Sequence, residues 1–389
     1  MPRSFMPDID ETLATIERVA SAPTAPYHEF RALRAIRGEL ERNGLTVNED
    51  AYGQISARSH RGNAKRALAL VAHTDHPAFE VTEAHGREGR ARILGGLYPE
   101  FFADTVPVLV HDDGDSAPFA ATLDGYVSAP DALHNSPGHC RIRADGELRA
   151  GQWAVMDLVP FAVNGDELHL RAADDLALCA VVVLVLAALR DDPRPHDVHA
   201  MFTRGEETGL FGARLVAEDG LLPRDVIVVS LEASRALTHA APGRGVVVRA
   251  GDVYNTFDND AERFLRVARE ELTAAGVATQ RALLTGGTCE SSAFVRLGWS
   301  ATAIAVPNVN YHNQSEHSKA FTPEIVRLSD LRSAVGLLVV AAAAAGIDAD
   351  ESWWPDVKVV PRQIRDLLRI RRLGCFHDRY RNSHAHVAS

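Results

Sequence analysis

Ala67-Leu68-Ala69-Leu70-Val71-Ala72-His73-Thr74-Asp75-His76-Pro77 decides the fold. The apolar run from Ala67 to Ala72 is short and continuous, without polar alternation. That pattern predicts a strand covered on both faces. The run breaks at a polar cluster, so His73, Thr74 and Asp75 fall at the strand's carboxyl end. In open parallel sheets, that edge is where ligands bind.

The same punctuation recurs along the chain. Val198 to Thr203 predicts a strand with Glu206-Glu207 just beyond it, and Val226 to Leu231 predicts one closed by Glu232. Thr302 to Val306 predicts a strand followed by Asn310-Tyr311-His312-Asn313. Helical spacing is expected over Asp174 to Arg190, Gly209 to Glu218, Ala261 to Ala275 and Glu324 to Ala345. Upstream, Ile9, Leu13, Ile16 and Val19 share one helical face, as do Phe30, Leu33, Ile36 and Leu40. Val47 to Ala57 predicts a strand pair around Gly53. Strands alternating with helices predict an α/β fold, its mixed, mostly parallel sheet sandwiched by helices.

From Val81 to Leu168 the texture differs. Short strand-like runs (Thr105 to Val110, Phe119 to Val127, Cys140 to Ile142, Trp153 to Leu158) alternate with Gly, Asp and Pro turns. This predicts a small, β-barrel-like domain inserted into the chain. The expected division is residues 1–81 plus 169–350 as a discontinuous main domain, 82–168 as the insert, and 351–389 as an Arg-rich tail. Trp353, Trp354 and Phe376 in that tail suit packing on the body or on a partner subunit.

Composition narrows the partners. A formal net charge of −11 over 389 residues disfavours nucleic acid and anionic membrane surfaces. Met1 to Glu11 has no apolar core of a signal peptide, and Leu176 to Leu189 is too short to span a bilayer comfortably. Cys140, Cys179, Cys289 and Cys375 are scattered, which suggests neither a disulfide framework nor a thiolate zinc site. Reduced thiols and a cytoplasmic protein are expected. No GxGxxG follows an early strand, which disfavours a dinucleotide enzyme.

Each polar cluster has a plain structural reading. His73-Thr74-Asp75 fits a polar turn, and Asp174 fits a helix N-cap worth about 1 kcal/mol. Glu206-Glu207 fits a solvated pair, although Gly205, Gly209 and Gly212 around it suit a tight strand-to-helix turn. Glu232 at a buried strand end needs a ligand or an ion pair to offset its burial. His312 competes with His317 for one role. Together the clusters supply what two neighbouring divalent ions require. The requirement is two His and three carboxylate ligands, one of them bridging, plus a free carboxylate to move protons. Asp75 stands two residues after His73, where it can accept from the ring nitrogen that does not bind metal.

At this point the chain resembles the glutamyl-aminopeptidase type of co-catalytic zinc aminopeptidases, which includes the large tetrahedral aminopeptidases. Val71 to Val81 resembles that family's His-x-Asp strand end, and Arg171 to Asp175 with Cys179 its bridging-aspartate segment. Phe202 to Ala213 is similar to its paired-glutamate motif, Ser230 to Glu232 to its acidic ligand, and Val306 to His312 to its terminal histidine segment. The resemblance implies a metallo-aminopeptidase with two divalent metal ions: zinc first, cobalt or manganese as alternatives. It implies that His73, Asp174 and Glu232 hold one ion and Asp174, Glu207 and His312 the other. Glu206 would be the general base for a metal-bridging hydroxide, and Asp75 the orienter of His73. It also implies a peptide substrate, and a homo-oligomer assembled through the inserted domain.

Three positions depart from the family pattern. Asp175 and Leu176 replace the usual Asn and Arg, and Cys289 replaces an Asp near the substrate. Asn313 to Phe321 looks inserted, which keeps His317 in play. These departures motivate two alternatives: the same site acting as an amidohydrolase or deacylase on a small amide, or a non-catalytic scaffold.

Overall fold

The structure, a computed structural model, describes residues 6–114, 116–350 and 360–369. Eight strands form the main sheet, in the order Asn48–Glu49, Ile55–Arg61, His196–Thr203, Leu68–His73, Ile227–Ser230, Ala301–Ala305, Val247–Gly251, Gln280–Leu283. The four central strands, from His196–Thr203 to Ala301–Ala305, run parallel. The flanks are mixed: Ile55–Arg61 and Val247–Gly251 each lie antiparallel to the central strand beside them.

Strand pleat sorts the side chains into two cores. Leu68, Leu70 and Ala72 face one way, against helices Ile9–Ala20, Phe30–Arg42, Ala173–Asp191, Asn259–Ala274 and Leu328–Ile347. Ala69 and Val71 face the other way, against Phe211–Asp219 and Glu290–Arg296, with Phe294 and Trp299 filling that layer. Ala173–Asp191 and Leu328–Ile347 are apolar all round because both are buried on almost every side. Local signals set the helix starts. The carboxylate of Asp8 accepts from the amides of Asp10 and Glu11 at 2.9 and 3.1 Å. Asp258 caps Asn259–Ala274 through the amide of Asp260 at 2.8 Å.

A closed six-stranded antiparallel barrel follows the strand Leu68–His73. Its order is Ala78–His85, Glu88–Leu94, Ser136–Ala144, Phe119–Asp131, Val106–His111, Trp153–Met156. Phe79, Ile93, Val108, Leu123, Ile142 and Met156 fill its interior. Closure leaves no open edge.

Some local expectations need correction. Residues 324–327 do not begin the last helix. Glu324–Arg327 is a strand paired with Glu167–Leu170, and the helix starts at Leu328. Buried donors hold Glu324 in extended backbone, as described below. Asp174 is not an N-cap: it and Asp175 have non-helical backbone, the peptide bond between them is cis, and the cap position is Ala172. The strands Val247–Gly251 and Gln280–Leu283 escape the sequence reading.

Cys140, Cys179 and Cys289 are free and buried. Helix Leu328–Ile347 is long and apolar enough to cross a membrane by composition, and 89% of its apolar 18-residue window is buried inside the protein, as core helices are. Arg362–Arg369 forms a short helix in a separate unit. The expectation for Trp353, Trp354 and Phe376 lies outside the described residues.

Candidate metal centre

The polar clusters converge at the carboxyl edge of the central strands. His73 ends its strand fully buried, and its Nε2 lies 3.2 Å from Asp174 Oδ1. His312 Nε2 lies 3.1 Å from Glu207 Oε1 and 3.5 Å from Asp174 Oδ2. Three groupings place potential ligand atoms within 4.8 Å of one another: His73, Asp174 and Asp175; His73, Glu206 and Glu207; Asp174, Glu207 and His312. Glu232 falls outside these groupings, although it is buried beside them. His317 is exposed at the surface, on the wall of a cavity it shares with Arg235 and Tyr311. Cys289 is buried at the start of helix Glu290–Arg296, where its sulfur accepts from Ser230 Oγ at 3.5 Å.

Backbone contacts aim both imidazoles. His73 Nδ1 donates to the carbonyl of Asp75 at 3.2 Å, which leaves Nε2 facing Asp174. His312 Nδ1 donates to the carbonyl of Gly96 at 3.1 Å, which turns its Nε2 inward. His312 sits at φ 57° between Asn310 and Asn313, which also have left-handed backbone. Such strain in a non-glycine residue persists only where its surroundings enforce it.

Asp75 orients His73 differently from the sequence expectation. Its carboxylate lies 3.7 Å from the ring nitrogen. Instead, its two oxygens accept the amides of Glu206 and Glu207, each at 3.0 Å.

Hydrogen-bond accounting finds several unpartnered polar atoms gathered in this cluster. Asp174 Oδ2, Asp175 Oδ2, Glu207 Oε1, Glu232 Oε2 and His312 Nε2 are buried without a hydrogen-bond partner. Native proteins rarely leave such atoms orphaned. Ligands about 2.0–2.1 Å from a tetrahedral ion stand about 3.3–3.4 Å apart. The spacings of 3.1, 3.2 and 3.5 Å here bracket that edge length. His73 Nε2 and Asp174 Oδ1 are within hydrogen-bond reach, whereas His312 Nε2 stands close to two carboxylates without bonding either, the arrangement of donors around a shared cation. Imidazole nitrogen and carboxylate oxygen without thiolate suit zinc, cobalt or manganese. The residues therefore fit a metal pair.

Electrostatics agree with that fit. Burial raises the Glu206 carboxyl well above its ordinary range, and Glu232, Glu207 and Asp75 push it further. Burial raises Glu232 as well, with Asp174 adding to the effect. Asp174 goes the other way: burial would raise it, but the imidazoles of His312 and His73 beside it hold it low. Burial opposes charge on both rings, yet the surrounding carboxylates raise them well above normal. The cluster calls for positive charge.

Several supporting residues escape the sequence reading. Glu324 is buried and accepts from Asp174 N at 3.0 Å, His312 N at 2.8 Å and Asn308 Nδ2 at 2.8 Å. His76 binds the Asp174 carbonyl at 2.5 Å and faces the Asn313 amide at 2.9 Å. The Arg249 guanidinium is buried by the small cavity that Glu232 and Tyr311 line. Glu290 accepts from Thr203 Oγ1 at 2.5 Å, and burial lifts its carboxyl to about 7. Only His76 carried a local signal, its place in the first polar cluster.

A model of the M42 glutamyl aminopeptidase family matches residues 144–328. Among solved structures, the fold is similar to the TET1 peptidase of Pyrococcus horikoshii, which assembles into a tetrahedron or a large octahedral shell. That pair is 21% identical with a TM-score of 0.70, over 85% of this chain and 99% of the other. A TET aminopeptidase from a marine sediment archaeon of the Thaumarchaeota is 18% identical at 0.72, over 87% and 98%. An aminopeptidase from Desulfurococcus kamchatkensis is 19% identical at 0.70, over 90% and 99%. A comparison with curated proteins finds no match. The family match bears out the resemblance seen in the sequence and supports a metallo-aminopeptidase.

Proposed function

We propose that this chain removes N-terminal residues from peptides, with His73, Asp174 and Glu232 holding one divalent ion and Asp174, Glu207 and His312 a second. The observation that supports this most is the set of buried, unpartnered donor atoms on Asp174, Glu207, Glu232 and His312. When bound, the ions supply a water acidified from a pKa of about 15.7 to about 7, and positive charge against a developing oxyanion. Asp174 would be the residue common to both sites, because its two oxygens face different imidazoles. Glu206 takes the proton from the attacking water and returns it to the leaving amine. Its raised affinity for protons suits that exchange. Asp75 serves Glu206 by gripping the turn that carries it. The barrel is the assembly surface, by extension from the shell-forming peptidase of similar fold.

The test combines metal analysis with substrate screening. Two equivalents of metal should co-purify or rebind, and aminoacyl-anilides, glutamyl and leucyl among them, should be cleaved. N-acyl amino acids should be left intact. Cleavage of the acylated set alone would replace this reading with a deacylase, and failure to bind metal would leave a scaffold. Light scattering reads the assembly state.

A further inference from the structure

The turn that carries Glu206 and Glu207 is held from outside the metal cluster, by a residue near the N-terminus. Glu29 is fully buried at the start of helix Phe30–Arg42. Its Oε1 accepts from Gly205 N at 3.0 Å and from Tyr27 N at 2.9 Å. Its Oε2 accepts from Arg204 Nε at 2.8 Å. Arg204 continues the grip, donating to the carbonyls of Tyr52 at 2.7 Å and Tyr27 at 2.9 Å. With Asp75 receiving the next two amides, the consecutive N–H groups of Gly205, Glu206 and Glu207 all end on buried carboxylates.

The local backbone needs this restraint. Gly205 sits at φ +63°, where glycine has little intrinsic preference and a side chain would be strained. Gly212 lets the next helix approach so closely that a Cβ there would stand 2.5 Å from the Arg204 carbonyl. The turn is therefore fixed by its contacts and not by its own propensity.

We propose that Glu29 is a positioning residue for catalysis: through the Gly205 amide and the Arg204 guanidinium it sets where Glu206 stands relative to the ligands. This rests on the reading of Glu206 as the proton-transfer group. Glu29 touches no ligand side chain, so its loss should spare metal binding and substrate affinity while displacing Glu206. A displacement of about 1 Å costs about 100-fold in rate.

The experiment uses the full chain loaded with zinc, cobalt or manganese. Glu29→Ala should lower kcat about 100-fold, with KM within about threefold and a full metal complement. Glu29→Gln keeps an oxygen for the two amides but places an amide against Arg204, and should lower kcat about 10-fold. In both, hydrogen exchange over residues 203–208 should speed up. A folded variant with wild-type kcat overturns the proposal. So does a loss of metal that matches the loss of rate, or a rise in KM at constant kcat. If Glu29→Ala does not fold, Glu29→Gln decides on the same readings. An inactive, metal-loaded wild type defeats the aminopeptidase reading and this proposal with it. An active wild type with unaffected Glu29 variants defeats this proposal alone.

Discussion

Two groups of carboxylates are buried equally deeply and are treated very differently. Glu29, Glu324 and Asp330 are saturated. Glu29 and Glu324 each accept at least three hydrogen bonds, and Asp330 takes the amides of Gly243 and Gly245 at 2.8 and 2.7 Å. Asp174, Asp175, Glu207 and Glu232 are buried to the same degree, yet each keeps an oxygen with no partner. Depth alone would not tell the groups apart. Counting lone pairs separates these seven: the three saturated acids hold backbone in place, and the four unsaturated ones leave room for a cation.

The sharpest way to break this contrast is to neutralise one acid at the metal centre. Glu206→Gln should lower kcat by about a thousandfold while two metal equivalents remain bound, because it removes proton transfer and not a ligand. Steady-state kinetics with metal analysis reads this, and near-normal turnover would remove Glu206 from the chemistry.

Chelation should come next in size. Stripping the ions should cost about 4 kcal/mol if they are held at about a thousand times their dissociation constant. The melting temperature should fall and recover on adding zinc, cobalt or manganese. An unchanged melt would mean that the orphaned oxygens bind nothing.

A saturated acid should give the opposite phenotype. Asp330→Ala strands the buried amide of Gly245 and frees the partly buried one of Gly243, and should cost about 1–3 kcal/mol in chemical denaturation, with kcat unchanged. Loss of activity in a folded Asp330→Ala protein would blur the division drawn here.

The smallest effect tests the same counting on a base. His111 Nε2 is also buried without a partner, but Arg31 lies 3.3 Å from its other nitrogen. Burial first, then Arg31 and Arg171, lower this ring to about 4. It is therefore a poor cation site. The folded value lies below the unfolded one, so its contribution to stability is present above about pH 6.5 and lost as pH falls towards 4. The loss should be about 2 kcal/mol, discounted for partial solvent contact. His111→Gln should flatten that acid limb in melts taken between pH 7 and 4.

Legibility follows from the same division. His73, Glu206, Glu207 and His312 follow apolar runs and Asp174 precedes one, so the break in hydrophobicity announces them. The barrel strands show through their regular turns. Glu324 does not show, because it abuts the apolar helix Leu328–Ile347 and reads as that helix's first turn. Glu29 and Arg249 do not show either: their partners lie far off in sequence, and only tertiary contact gives them meaning. The strand Val247–Gly251 is short and begins close to a Gly-rich turn, so no local pattern sets it apart.

The carbonyl of Gly96, which fixes the ring of His312, belongs to a loop leading out of barrel strand Glu88–Leu94. Asn135, in the barrel's own connection between two strands, likewise holds the carbonyl of Glu207 at 2.9 Å. The barrel thus cannot be pruned away to make a minimal catalyst. An engineer who excised it would also cut the two threads that keep a histidine and a glutamate turned towards each other.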